Sequence, residues 1–157
     1  MFRHHPVLTG ATLLYLGAVA WLTLGPQPVG LLRAGGVWRM LALFQRHTAT
    51  AWITFPTVEF AANVLMFVPI GLFLLLLFGR RLWWLAVIMG TLLSALIEFA
   101  QLYLPGRVSD VRDLTSNSLG ALIGVLVALV LTWPAAARRR RLRESAGHPR
   151  TGGIRVA

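Results

Sequence analysis

Four long apolar stretches separated by short polar segments dominate the chain, over residues 7–24, 58–78, 82–104 and 114–133. Each has about the 20 residues that a helix needs to cross a bilayer core. The pattern predicts an all-α, polytopic membrane helical bundle of four transmembrane helices within a domain spanning residues 1–134. Only Gly79, Arg80 and Arg81 join the second and third stretches, which forces an antiparallel hairpin with a basic turn. The first stretch also has the form of a cleavable signal peptide, with Arg3, an apolar run and Ala18-Val19-Ala20. The apolar pattern continues through Trp21, Leu22 and Leu24, so the segment is read as a retained span.

Composition agrees with that pattern. Apolar residues make up 57% of the 157 and charged residues 13%, far from the roughly even apolar share and quarter charged share of a soluble domain. The absence of cysteine excludes a disulfide framework, a thiolate zinc site and a cysteine nucleophile. All fifteen basic residues are arginine, against five acids. With the N-terminus inside, ten arginines (Arg3, Arg80, Arg81 and seven beyond Ala137) face the cytoplasm and five face outward. Basic residues concentrate in cytoplasmic loops, so both termini are expected there. The segment 135–157 reads as a disordered basic tail lying on anionic lipid headgroups, with no nucleic acid as partner. In the first outer loop, Val37, Trp38, Leu41 and Phe44 recur at helical spacing, which fits either a short interfacial helix over 37–46 or loop packing.

The few ionisable and amide groups in or beside the spans collect at one end. In the N-in orientation, Glu59 and Asn63 lie at the outer start of the second span, and Glu98 and Gln101 towards the outer end of the third. Arg107, Asp110, Arg112 and Asp113 occupy the next outer loop, and Asn117 lies one turn into the fourth span. An ionisable group near a membrane centre costs about 2.5–3.5 kcal/mol on insertion scales, so each needs a compensating role. At about 100° per residue, Gly90, Ser94, Glu98 and Gln101 share one face of the third helix, and Asp113, Asn117, Gly120 and Gly124 one face of the fourth. Each stripe is small on the inner side and polar on the outer. Gly120-x-x-x-Gly124 lets helix backbones approach closely, which predicts a tight lower bundle opening into a polar outer vestibule. Glu98, roughly 9 Å from the end of its span, is expected to pair with a cation such as Arg107, to stay protonated or to line a wet cavity. Pro69 in mid-span predicts a kink.

These residues fall in an ordered set of motifs. Asn63-Val64-Leu65-Met66-Phe67-Val68-Pro69-Ile70-Gly71, Ile97-Glu98-Phe99-Ala100-Gln101, Gly106-Arg107-Val108-Ser109-Asp110-Val111-Arg112-Asp113 and Asn117-Ser118-Leu119-Gly120 follow one another across about 60 residues. The set resembles the N-x-x-x-F-x-P-x-G, E-x-x-Q, R-x-x-D-x-x-D and N-x-x-G elements of the VanZ-like family of small bacterial membrane proteins, named for a member linked to teicoplanin resistance. The resemblance implies a multi-pass protein of the bacterial cytoplasmic membrane with a part in cell-envelope function or lipoglycopeptide resistance. It marks Asn63, Glu98, Gln101, Arg107, Asp110, Asp113 and Asn117 as binding residues. Pro69, Gly71 and Gly120 are marked as structural, joined by Gly124. The Asp-Lys and His combination of one branch of the family is missing from the first outer loop, and the basic tail is not part of the shared pattern.

Three activities fit this constellation. A non-enzymatic protein would engage membrane lipids, a lipid-linked envelope precursor or a lipoglycopeptide, Arg107 and Arg112 offering donors to a phosphate. A membrane-embedded enzyme would use Glu98 as general acid or base, with Asp110 and Asp113 as further catalytic candidates holding a divalent cation or substrate. A small proton-coupled transporter would relay through Glu98, as an oligomer since four spans are few for such a fold. The sequence calls for no cofactor and contains no hydrolase elbow or metalloprotease helix. Beside these stands a purely structural role, in which Glu98 with Arg107, and Asp113 capping the fourth helix, clamp three helix ends together.

Overall fold

The computed structural model describes residues 6–25, 41–105 and 110–146. Among the described residues the long α-helices are α1 (Pro6–Leu24), α2 (Phe55–Phe78), α3 (Trp83–Gln101) and α4 (Val111–Ala146), with single 3-10 turns at Thr48–Thr50 and Arg80–Leu82. All four contain a segment long and apolar enough to cross a membrane. The chain is an all-α, multi-pass membrane protein.

The helix ends follow local chemistry more than hydropathy. α2 begins at Phe55, ahead of the apolar run, because Thr54 and Thr57 form a capping box and Pro56 occupies the first turn, where its missing N–H costs nothing. It is continuous through Pro69. Its C-cap is Gly79, whose φ of 85° and ψ of 161° lie in a region open to glycine alone, and whose N–H donates to the Leu75 carbonyl at 2.7 Å. α3 stops at Gln101, short of the expected 104. There the chain tightens into i→i+3 bonds from Tyr103 N–H to Ala100 O (3.2 Å) and Leu104 N–H to Gln101 O (3.0 Å), and Pro105 disfavours helix in the residue before it.

α4 takes in the first part, 135–146, of the segment expected to be a disordered tail. It passes Pro134 and remains helical to Ala146. Ala135-Ala136-Ala137 and the arginine run are strong helix formers, and a helix already nucleated in the bundle propagates through them. Residues 147–157 lie outside the described set, as do 37–40 of the expected interfacial helix, of which 41–44 form a helical turn.

α4 packs most extensively on α2 and then on α3, while α1 lies against α2 and α3. Close approach of α4 to α2 rests on three glycines. A Cβ on Gly120 would strike the Val64 carbonyl, one on Gly124 the Val68 carbonyl, and one on Gly71 the Ala121 carbonyl. Gly90 does the same for α3, its Cβ position lying 2.6 Å from Ala121 Cβ. These backbones meet as the small-residue spacing predicts. Val19, Phe67, Ile70, Ile97 and Ala121 form one core, and Leu75, Ala86, Val125 and Ala128 a second nearer the α2–α3 turn.

α1, the segment with signal-peptide form, is an integral packing partner. Its Tyr15 hydroxyl donates to the Met66 carbonyl at 2.9 Å, and the ring meets Phe73 edge-on at 5.9 Å. The basic turn is tied down as well: Arg80 donates to the Leu129 carbonyl and to Thr132 Oγ1 (2.6 Å), with its guanidinium 5.7 Å above the Trp133 ring. Exposed Trp21, Trp52 and Tyr103 mark one end of the bundle, and exposed Trp83, Trp84 and Trp133 the other, the distribution of rings that sit at the two membrane boundaries.

Candidate functional site

At the end marked by Trp21, Trp52 and Tyr103, three helices bring their polar groups together. The N-terminus of α4 organises them. Asp110 is its cap, Oδ1 accepting from Arg112 N–H at 2.8 Å. In a capping box the third helical residue would bond the N–H of the cap. Here that N–H goes to Glu98 Oε2 of α3 at 3.1 Å. Asp113, the third helical residue, is thereby released to accept from Asn63 Nδ2 of α2 at 2.8 Å. The cap is therefore Asp110, where the sequence had suggested Asp113, and Asp113 is a cross-helix ligand in the first turn of α4, where the helix dipole favours a carboxylate.

Glu98 is 9% exposed. Because α3 ends at Gln101, it lies one turn from the helix end and not two, and a backbone N–H at a helix N-terminus is the charge-assisted partner identified for it. Arg107, the cation expected to pair with it, lies outside the described residues. One turn deeper, Asn117 Nδ2 donates to Ser94 Oγ at 2.9 Å, with Asn117 3% and Ser94 0% exposed. Gln101 turns the other way, donating through Nε2 to the Thr23 carbonyl of α1 at 3.0 Å. Thr23 is in the last turn of α1, where carbonyls lack intrahelical partners, so Gln101 closes that helix end.

Among the described residues, the polar side chains of the mouth are bonded to one another or to helix ends. A cleft of about 10 Å³, the size of one water, remains between α2 and α4, lined by Pro56, Glu59, Phe60, Asp110, Arg112 and Asp113. Glu59, Glu98 and Asp110 all lie within electrostatic reach of Asp113, so four of the five acids in a chain of net charge +10 face one mouth. Among the described residues no three carboxylate, imidazole or thiol groups converge as a metal-binding set.

A family model described as VanZ/LLP1 matches residues 12–132. The chain belongs to the VanZ/LLP1 family. The matched region begins within α1 and ends at Thr132, so it takes in most of the first membrane-crossing segment, the second and third, nearly all of the fourth and the polar mouth, and leaves out the arginine-rich end of α4. No curated protein and no solved structure matches the chain.

Several residues that build this VanZ/LLP1 site were not singled out by sequence. Pro56 and Phe60 form the apolar wall of the cleft, and nothing in their type distinguishes them from lipid-facing neighbours. Tyr15 was detectable in principle, since a hydroxyl in mid-span needs an acceptor. Thr23 was not, because only its carbonyl takes part.

Proposed function

We propose that this protein acts non-enzymatically at the cell envelope, recognising the polar head of an envelope lipid or lipid-linked precursor at the outer membrane face and lowering susceptibility to teicoplanin-type lipoglycopeptides. The observation that carries the reading is the gathering of Glu59, Asp110 and Asp113 with Arg112 around one cleft, with Glu98 within electrostatic reach of Asp113, at one end of helices that approach closely at their glycines. Exposed Glu59, Asp110 and Arg112 form its rim. The carboxylates suit an ammonium group, and the planar Arg112 guanidinium suits a phosphate, so a zwitterionic head fits better than a purely anionic one. Asn63, Gln101 and Asn117 already bond protein groups, and their task in this reading is to hold the rim in place. The N-in, C-in orientation puts the mouth outside.

Glu59→Gln and Arg112→Ala test it, read by membrane yield and by lipoglycopeptide susceptibility in cells that depend on the protein. Susceptibility rises at unchanged yield if the rim recognises a ligand. If it changes only in step with yield, the cluster is a clamp and the reading fails. A reporter fusion at Trp52 that lies in the cytosol also defeats it.

A further inference from the structure

One buried polar atom is left over by the hydrogen bonding of the mouth. Asn117 Oδ1 is fully enclosed and has no hydrogen-bond partner among the described residues, although an unmet acceptor at that depth costs about 1–3 kcal/mol. It belongs to a side chain six residues, roughly 9 Å, into α4. Its neighbour Ser94 lies seven residues, roughly 10 Å, from the end of α3, so two helices agree on the depth.

The surroundings specify what could meet this atom. Asp113 and Asn117 stand four residues apart on one helix face, where side chains are neighbours. Helical side chains lean towards the N-terminus. Asn117 therefore leans up towards Asp113, whereas Glu98 on antiparallel α3 reaches the N-terminus of α4 above them, its Oε2 accepting from the Asp110 N–H. The amide nitrogens facing this space are engaged: Asn63 Nδ2 on Asp113 Oδ1, Asn117 Nδ2 on Ser94 Oγ. Asp113 Oδ2 carries no hydrogen bond among the described residues. What remains is oxygen: the Asn117 amide oxygen and the second carboxylate oxygen of Asp113, beneath three further carboxylates. Such a set calls for a positive ligand. One close carboxylate, with neutral oxygens and no triad of acidic or imidazole donors, matches a single positive charge better than a divalent ion, which takes more carboxylate or retains its water.

We propose that Asn117 Oδ1 and the Asp113 carboxylate, with Ser94 Oγ beside them, hold a small monovalent cation such as sodium at the floor of the polar mouth. The ion fills the open valence of the amide and offsets the charge gathered above it. The site is independent of which molecule the rim recognises, because it is assayed with neither lipid precursor nor antibiotic present.

The test uses the full chain purified in detergent, with its unfolding midpoint followed in sodium, potassium, choline and magnesium chloride at constant ionic strength. In sodium the midpoint is expected to rise by about 3 °C for each tenfold increase above the dissociation constant. Choline gives no rise, and Asn117→Leu and Asp113→Asn each abolish the response. Equal midpoints in all four salts, a response to magnesium alone, or a sodium response that survives Asn117→Leu overturns the proposal. Equal midpoints are also the result if the amide is turned over so that its nitrogen donates to Asp113. Should both variants fail to fold, equilibrium dialysis of the native protein against radioactive sodium decides: about one ion per chain supports the site, and none overturns it.

Discussion

Gly124→Ala is the most direct probe of how the bundle closes. The added carbon would overlap the Val68 carbonyl and lie 2.9 Å from the Leu72 nitrogen. Both obstacles are backbone of α2 and cannot rotate away as a side chain could. Ordinary contact starts near 3.4 Å, so Leu72 must retreat by about 0.5 Å and Val68 by more, which prises α2 from α4 along a seam that also holds Gly71 and Gly120. Overpacking of this kind costs about 1–3 kcal/mol. For a chain of this size that is a fall of roughly 3–10 °C in the unfolding midpoint, measured by tryptophan fluorescence in detergent. Gly10→Ala and Gly17→Ala are the controls, since nothing lies within 4 Å of an added carbon at either position. They should leave the midpoint unchanged or raise it slightly through helix propensity. A Gly124→Ala protein as stable as the parent, or controls that fall as far, would refute the close α2–α4 contact. The separation should also loosen the Asn63–Asp113 bond near the top of the seam, so Asn63→Ala should cost less in the Gly124→Ala background than in the parent, as a double-mutant cycle would show.

Arg80→Ala removes the donor to Leu129 and Thr132 and the stack on Trp133; a loss of about 1.5–3 kcal/mol is expected, against no change for exposed Arg81→Ala, with thermal midpoints as the check. Asp110→Ala uncaps α4 and should cost about 1 kcal/mol, mostly restored by Asn or Ser, which cap as well. Tyr15→Phe deletes the bond to Met66 and should weaken docking of α1 by about 0.6 kcal/mol, seen as faster proteolysis of that helix at unchanged stability of α2 to α4.

The four crossings and the glycine seam were legible because each depends on residue type alone. A 20-residue apolar run has few alternatives to a membrane helix, and glycines at four-residue spacing have no other evident use in lipid. The polar mouth was legible as a set, since ionisable groups are conspicuous among apolar ones, but its pairing was not. Sequence pointed to a side chain such as Arg107 for Glu98, and Arg107 lies outside the described residues; the backbone N–H of Asp110, which also bonds Glu98, carried no signal in the sequence. The bonds of Tyr15, Gln101 and Arg80 likewise end on the carbonyls of Met66, Thr23 and Leu129. Every residue carries a carbonyl, so nothing in the sequence marks which one is spare. Helix ends make the difference: the last carbonyls of α1 and the first N–H groups of α4 lack partners within their own helices, and the polar side chains of α3 are placed where those ends arrive. The length of each helix therefore decides which polar groups are satisfied. Where the terminal groups run out, nearly two turns into α4, Asn117 is left with an oxygen unmet among the described residues.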